Sequence, residues 1–313
     1  MTVGRATGLS HPGRRRRRNE DAWVCDPPIF AIADGMGGAR GGEIASQLAA
    51  GALGVEANGD GADRVVALIQ EANKRVYERA EEDSAVSGMG TTITVALVED
   101  GVVTIGHVGD SRAYLVRDGK LDQLTDDHTL VAELVRSGRL SPAEAEAHPQ
   151  RSVITRALGT DPDVDVDTFP VETKPGDLFM LCSDGLTSMV GDEAIEDVVE
   201  QYRADLDAVA KRLVERANKS GGEDNITVVL FEIVDDPPAV LEETATMEPL
   251  EEPVADDEDT LSGLEGLTVP DETGPVPGTG RGPKGRWRAI LLLVLAVIVL
   301  LAAAVALYWA LYL

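Results

Sequence analysis

Cysteine is nearly absent from this 313-residue chain. The only two, Cys25 and Cys182, sit in apolar strand-like runs, too few for the disulfide framework of a small secreted domain, so buried free thiols in a reducing compartment are expected. Histidine is almost as scarce, with four copies, which leaves little material for a zinc site built on His and Cys. No apolar stretch follows the basic run at 14–18, so the N-terminal region does not read as a signal peptide. Lys and Arg are missing altogether from residues 235–280, a segment that carries fourteen Asp and Glu, and the formal charge of the whole chain is −27. A surface of that sign repels a phosphate backbone and excludes nucleic acid as the main partner.

What the chain does have is carboxylates at the ends of apolar runs. In Ala31-Ile32-Ala33-Asp34-Gly35-Met36-Gly37-Gly38 a hydrophobic stretch ends in Asp34 and the chain turns through glycine. The pattern returns in Gly106-His107-Val108-Gly109-Asp110-Ser111-Arg112, in Leu181-Cys182-Ser183-Asp184-Gly185 and in Gly221-Gly222-Glu223-Asp224-Asn225. Each places an Asp where it leaves a core and reaches a shared cleft. Hard oxygen donors without thiol or imidazole suit Mg²⁺ or Mn²⁺ far better than Zn²⁺.

At 43% hydrophobic the chain can bury a large core. Apolar spacing predicts helices over 41–58 and 62–82, the second with Val65, Val66, Leu68, Ile69, Val76 and Tyr77 on its buried stripe. The period then changes to β-branched runs at 91–98, 102–108 and 113–117, punctuated by Asp100-Gly101 and Asp118-Gly119, which predicts an antiparallel meander. Residues 126–152 turn polar and helical, with Ser141-Pro142-Ala143-Glu144 as a capping box, and read as a flap lying over the cleft. A strand at 178–182, helices at 192–200 and 206–218 and a strand at 226–234 complete residues 1–234, a single α+β domain of two packed sheets covered by helices.

Residues 235–285 are acidic and rich in Pro, Gly and Thr, too poor in aliphatics to offset the entropy of ordering, and read as a disordered linker. Thr244, Thr246, Thr260, Thr268 and Thr273 lie among its acids as kinase-target candidates, though a plain tether accounts for the segment. Residues 289–313 are an uncharged apolar run of 25, long enough to cross roughly 30 Å of hydrocarbon. Trp287 and the group Tyr308, Trp309 and Tyr312 flank it as interfacial aromatics. Arg281, Lys284, Arg286 and Arg288 precede it, and the positive-inside rule keeps that flank cytosolic. The expectation is a cell-membrane protein with one C-terminal transmembrane helix within 286–313 and a cytoplasmic catalytic domain.

The four carboxylate segments, together with Asn19-Glu20-Asp21 after the Arg run, resemble the metal-dependent type 2C Ser/Thr protein phosphatases, in particular their bacterial membrane-anchored branch. The match covers about residues 5–234. The resemblance implies a four-layer α-β-β-α sandwich with a centre of two Mn²⁺ or Mg²⁺ ions at one end. By the same resemblance Asp34 bridges the two ions, the Gly35 carbonyl binds the first, Asp184 and Asp224 bind the second, and Asp21 holds water in the outer shell. A third ion would use Asp110, Asp184 and Ser152. The family's phosphate-clamping Arg lies five residues before the Asp of Asn-Glu-Asp, which is Arg16 here, with Arg15 or Arg17 as stand-ins. A water bridging the ions is the implied nucleophile, attacking phosphorus directly. The chain departs from the eukaryotic branch at Met36, where that branch has a His proposed as general acid.

Implied substrates are phosphoserine and phosphothreonine on proteins, with bacterial Ser/Thr kinases as opposing partners, and the chain is expected to act as a monomer. Two other readings stay open: a non-catalytic phosphoprotein-binding module of the same fold, and a hydrolase of a small phosphorylated metabolite. Among the remaining residues, His107 reads as a strand residue packed in or beside the sheet, His128 and His148 as surface residues flanking the flap, and Ser183 as a local orienter of a carboxylate, since no base is placed to make it a nucleophile.

Overall fold

Two antiparallel sheets lie face to face. One has the order β1 (Thr2–His11), β11 (Ile226–Val234), β10 (Leu178–Cys182), β7 (Arg112–Arg117), β8 (Lys120–Gln123). The other runs β2 (Asp21–Asp26), β3 (Ile29–Met36), β5 (Ile93–Glu99), β6 (Val102–Val108), β9 (Asp167–Glu172), with the two-residue β4 (Gly90–Thr91) against β3. The computed structural model describes residues 1–235 apart from Glu56 and Asn58. The remainder of the acidic linker and the proposed membrane span lie outside the described residues. Among the described residues no helix is long and apolar enough to cross a membrane.

Strands buried on both faces explain the near-continuous apolar runs. In β10, Phe179 and Leu181 point between the sheets while Leu178, Met180 and Cys182 face helices, as the two-residue period of a strand requires. The layer between the sheets centres on Phe231, which stacks on Phe30 at 4.0 Å and on Phe179 at 5.1 Å between ring centroids. Burying such a ring contributes about 2–3 kcal/mol. Outside that layer, α1 (Gly38–Ala52) and α2 (Gly61–Glu82) cover the second sheet and α6 (Asp192–Tyr202) and α7 (Leu206–Ser220) the first. Helix α2 buries Val65, Leu68, Ile69, Ala72, Val76 and Ala80 along one stripe, the face its spacing predicts. Helix α1 starts at Gly38 and ends at Ala52, earlier at both ends than its apolar spacing suggests.

The meander is corrected by the pairing. Asp100-Gly101 and Asp118-Gly119 do form tight hairpins, with positive φ at all four residues. Strands β6 and β7, however, do not pair: β6 lies against β9 and β7 against β10, so the chain crosses between sheets at Gly109-Asp110-Ser111. The crossing puts Asp110 at the sheets' shared end. The same end holds the start of β2 at Asp21, the end of β3 after Asp34, the end of β10 before Asp184 and the start of β11 after Asp224. The flap carries α3 (Leu130–Arg136) and α4 (Pro142–Glu146), the latter closed by a capping box between Ser141 and Glu144. The short α5 (Asp184–Thr187) begins on Asp184 itself.

Candidate metal and phosphate site

Asp21 and Asp34 face each other as cross-strand partners in the β2–β3 register. Like charges in that position are destabilising, so stability alone does not account for the pair. Glycine lets the backbone crowd in behind it: a Cβ on Gly35 would stand 2.0 Å from the Gly42 carbonyl oxygen, and one on Gly185 2.0 Å from that of Asn225. These close approaches seat the strand end bearing Asp34 against α1 and the turn bearing Asp184 against the residues leading into β11. Asp34 and Asp184 lie close enough for each to perturb the other's proton affinity.

Burial, and then the neighbouring carboxylates, raise the acids' affinity for protons. Asp21 is pushed up to about 7 by burial, against the pull of its hydrogen bonds from Thr227 and Ser183. Asp110 rises to about 7 through burial and the charge of Asp184, and Asp184 to about 6 through burial and the charge of Asp224. Asp34 is held well above the carboxylate range by burial and by Asp21, Asp184, Asp110 and Asp224. Groups so perturbed by one another mark functional clusters. Two of their oxygens, Asp21 Oδ1 and Asp184 Oδ1, are buried and have no hydrogen-bond partner among the described residues, a costly arrangement that a bound cation would relieve.

The donor set is all oxygen, which fits Mg²⁺ or Mn²⁺. Among the described residues no three His, Cys, Asp or Glu side chains close into a compact ligand cluster. Asp224 is bonded to Arg16, and Asp21 to Ser183 and Thr227.

Arg16 Nη2 donates to Asp224 Oδ2 at 2.7 Å. Of the run 14–18, Arg16 is the guanidinium that touches the acids; Arg15 and Arg17 enter none of the ion pairs among the described residues. Ser152 is exposed and lines, with Asp110 and Asp184, a cavity of about 890 Å³ beneath the flap. The structure therefore gathers Asp21, Asp34, Asp110, Asp184, Asp224 and Arg16 and sets Ser152 on the wall of the adjoining cavity.

Sequence reasoning leaves out the layer that holds these acids. Ser183 donates to Asp21 Oδ2 at 2.9 Å and accepts from the Thr227 backbone N–H at 3.0 Å, so it orients Asp21 and not its neighbour Asp184. Asn225 Oδ1 accepts from the Glu20 N–H, while its Nδ2 donates to the carbonyls of Pro12 and Arg18. One side chain thus fastens both ends of the arginine loop. Its place beside Asp224 was the only signal in the sequence.

His107 is buried in β6, as expected, but His128 is not on the surface: it is 1% exposed. His128 Nδ1 accepts from the Gly109 N–H at 3.0 Å and Nε2 lies 3.1 Å from Asp167 Oδ2. The rings of His107 and His128 sit 4.7 Å apart. Those partners come from the sheet crossing and from β9, distant positions that local polarity around the flap does not disclose.

The protein phosphatase 2C family model matches residues 8–228. The chain is 41% identical over 238 residues to the serine/threonine phosphatase stp of Listeria welshimeri, covering 70% of this chain and 92% of that protein. It superposes on the crystal structure of the Mycobacterium tuberculosis serine/threonine phosphatase PstP/Ppp with TM-score 0.71 and 39% identity, over 75% of this chain and 100% of that one. A catalytic domain of PstP in complex with two manganese ions aligns at TM-score 0.69 and 38% identity, over 75% and 100% of the two chains. With the fold, the ordered acids and these likenesses in agreement, the chain belongs to the protein phosphatase 2C family.

Proposed function

We propose that this chain is a protein phosphatase that hydrolyses phosphoserine and phosphothreonine with Mn²⁺ or Mg²⁺. The observation that carries the reading is the meeting of five sequence-distant aspartates at one end of two sheets, with two buried carboxylate oxygens left unpartnered. Its relatives are serine/threonine phosphatases, one of them holding two manganese ions. A binding module without turnover would not need the complete acid set.

Asp34 and the Gly35 carbonyl, with Asp184 and Asp224 and with Asp21 through water, would hold two ions, Asp34 serving both; Asp110, Asp184 and Ser152 would be the residues for a third. Bound ions would supply an activated water and neutralise charge on the phosphoryl oxygens. The chain's own residues do the positioning. Arg16, exposed and bonded to Asp224, offers a planar fork of donors to two phosphate oxygens. Ser183 and Thr227 fix the face that Asp21 presents, leaving its Oδ1 free. Met36 cannot give a proton to the leaving alkoxide, so no side chain at that position acts as general acid.

We also read residues 286–313 as a single-pass membrane anchor, with the linker 235–285 tethering a monomeric catalytic domain on the cytoplasmic side, near membrane kinases and their substrates. An uncharged run of 25 residues behind a basic flank supports this. In the test, the full chain in detergent releases phosphate from a phosphothreonine peptide with Mn²⁺, faster than from phosphorylated metabolites, and stops with EDTA. Undiminished release in chelator, or preference for the metabolites, would overturn the reading.

A further inference from the structure

The arginine run holds more cations than a single phosphate clamp uses. The backbone N–H groups of Arg14 and Arg15 both donate to the Gly222 carbonyl, at 2.7 and 3.1 Å, and Asn225 ties down the carbonyls of Pro12 and Arg18. The loop is therefore pinned along its length to the segment that bears Asp224. Apart from Arg16, which bonds Asp224, its side chains hold no acid at hydrogen-bond distance among the described residues. All five arginines are exposed; Arg14, Arg15 and Arg17 join none of the ion pairs among the described residues, and Arg18 reaches Glu43 only at 3.7 Å. Next to the loop, Arg18, Asn19, Glu43, Ile44 and Gln47 border a second cavity of about 640 Å³.

In a chain of charge −27, a shelf of exposed guanidinium groups on a backbone-held loop beside Arg16 is a local reversal of the field. Such a reversal draws anions to one rim of the site. We propose that Arg14, Arg15, Arg17 and Arg18 form a subsite for a second anionic group on the substrate, which makes the preferred substrates proteins with acidic or further phosphorylated residues close to the scissile phosphate. This rests on the phosphatase reading above. An extended peptide advances about 3.4 Å per residue, so anions one to three positions from the phosphorylated residue fall within an arginine's reach of that point. Bidentate pairing with carboxylate or phosphate is the recognition chemistry that guanidinium supplies best.

The test uses the full chain in detergent and three phosphothreonine peptides of equal length, with acidic, neutral or basic flanks. Hydrolysis and binding are both measured; binding is read by fluorescence anisotropy, which needs no turnover. The expected result is a KM for the acidic peptide lower by about fivefold than for the neutral one, the modest gain of a few exposed ion pairs. Raising the salt from 50 to 500 mM should erase the gap, because screening shortens the reach of exposed charges. The double variant Arg15→Gln/Arg17→Gln should lose the gap, whereas Lys211→Gln/Arg216→Gln on α7 should keep it.

Equal KM and equal binding for all three peptides would overturn the inference. So would binding of the arginine loop to phosphatidylserine vesicles with no preference among peptides, since the shelf would then serve lipid. If no peptide is hydrolysed yet the acidic one still binds tighter, the enzymatic reading fails and the subsite stands.

Discussion

Two groups of buried titratable side chains lie a few residues apart at the same end of the sheets, and the molecule treats them oppositely. In the histidine pair every ring nitrogen has a partner: His107 is bonded to Thr94 and to the Asp126 carbonyl, His128 to the Gly109 N–H and Asp167. Burial lowers the proton affinity of both, that of His107 to about 4. In the carboxylate group the acids press on one another, and Asp21 Oδ1 and Asp184 Oδ1 face nothing that donates. Satisfied polar groups in a core tie elements together, whereas unsatisfied like charges cost stability and persist for a task. Between these two groups it is hydrogen-bond completeness that differs, and burial does not.

The contrast fails if the acids prove structural. Asp34→Asn should lower kcat/KM on the order of a thousandfold, the scale of losing a central electrostatic group, while leaving the metal-free melting temperature unchanged or higher because a repulsion is removed. A fall in that temperature as large as a core truncation causes would mean that Asp34 holds the fold together. Next in size, His128→Ala should cost about 2–3 kcal/mol in denaturant unfolding, since it strands the buried Gly109 N–H and opens a cavity. A neutral result would remove the histidine pair from the scaffold.

Ser183→Ala refines the comparison by acting on the seam between the groups. It takes one donor from Asp21 without touching the acid itself. Loss of an orienting hydrogen bond of this kind weakens metal affinity by about tenfold or somewhat more. A Mn²⁺ titration followed by calorimetry reads this directly, and an unchanged affinity would leave Thr227 as the sole anchor of Asp21.

The acids were legible in the sequence because each stands where an apolar run breaks at glycine or serine, and that break survives in one dimension. Strand β11 and helix α2 were legible for the same kind of reason, an uninterrupted period over nine and 22 residues. Strand β1 was not: Gly4, Arg5, Thr7 and Gly8 blur its alternation, and it is held by pairing with β11, more than 200 residues away. The crossing at Gly109-Asp110-Ser111 was hidden too, since a hairpin signal gives no warning that the next strand joins another sheet. Asn225 and Ser183 could be seen only as neighbours of acids. What they grip, Arg18 and Asp21, is set by the fold.

Acid titration sharpens the comparison with the smallest effect, because the two groups pull in opposite directions. Asp21 and Asp110 near 7 and Asp184 near 6 lie above the unfolded value of 3.8. Between about pH 4 and 7 the folded form therefore holds more protons at these sites than the unfolded form, and their contribution to stability falls as pH rises through that window. His107, near 4 when folded against 6.5 when unfolded, works the other way: its contribution falls as pH drops from 6.5 toward 4. Three acids outweigh one histidine, so metal-free protein should melt a few degrees higher at pH 6 than at pH 8, and His107 reduces but does not cancel the further gain below pH 6. Saturating Mn²⁺ should reverse the upper part of that profile, because the ion binds deprotonated carboxylates and its binding releases protons. Melting curves at pH 6 and 8 with and without Mn²⁺ decide it: a slope that the ion leaves unchanged would separate the raised acids from metal binding and cancel the distinction between the two groups.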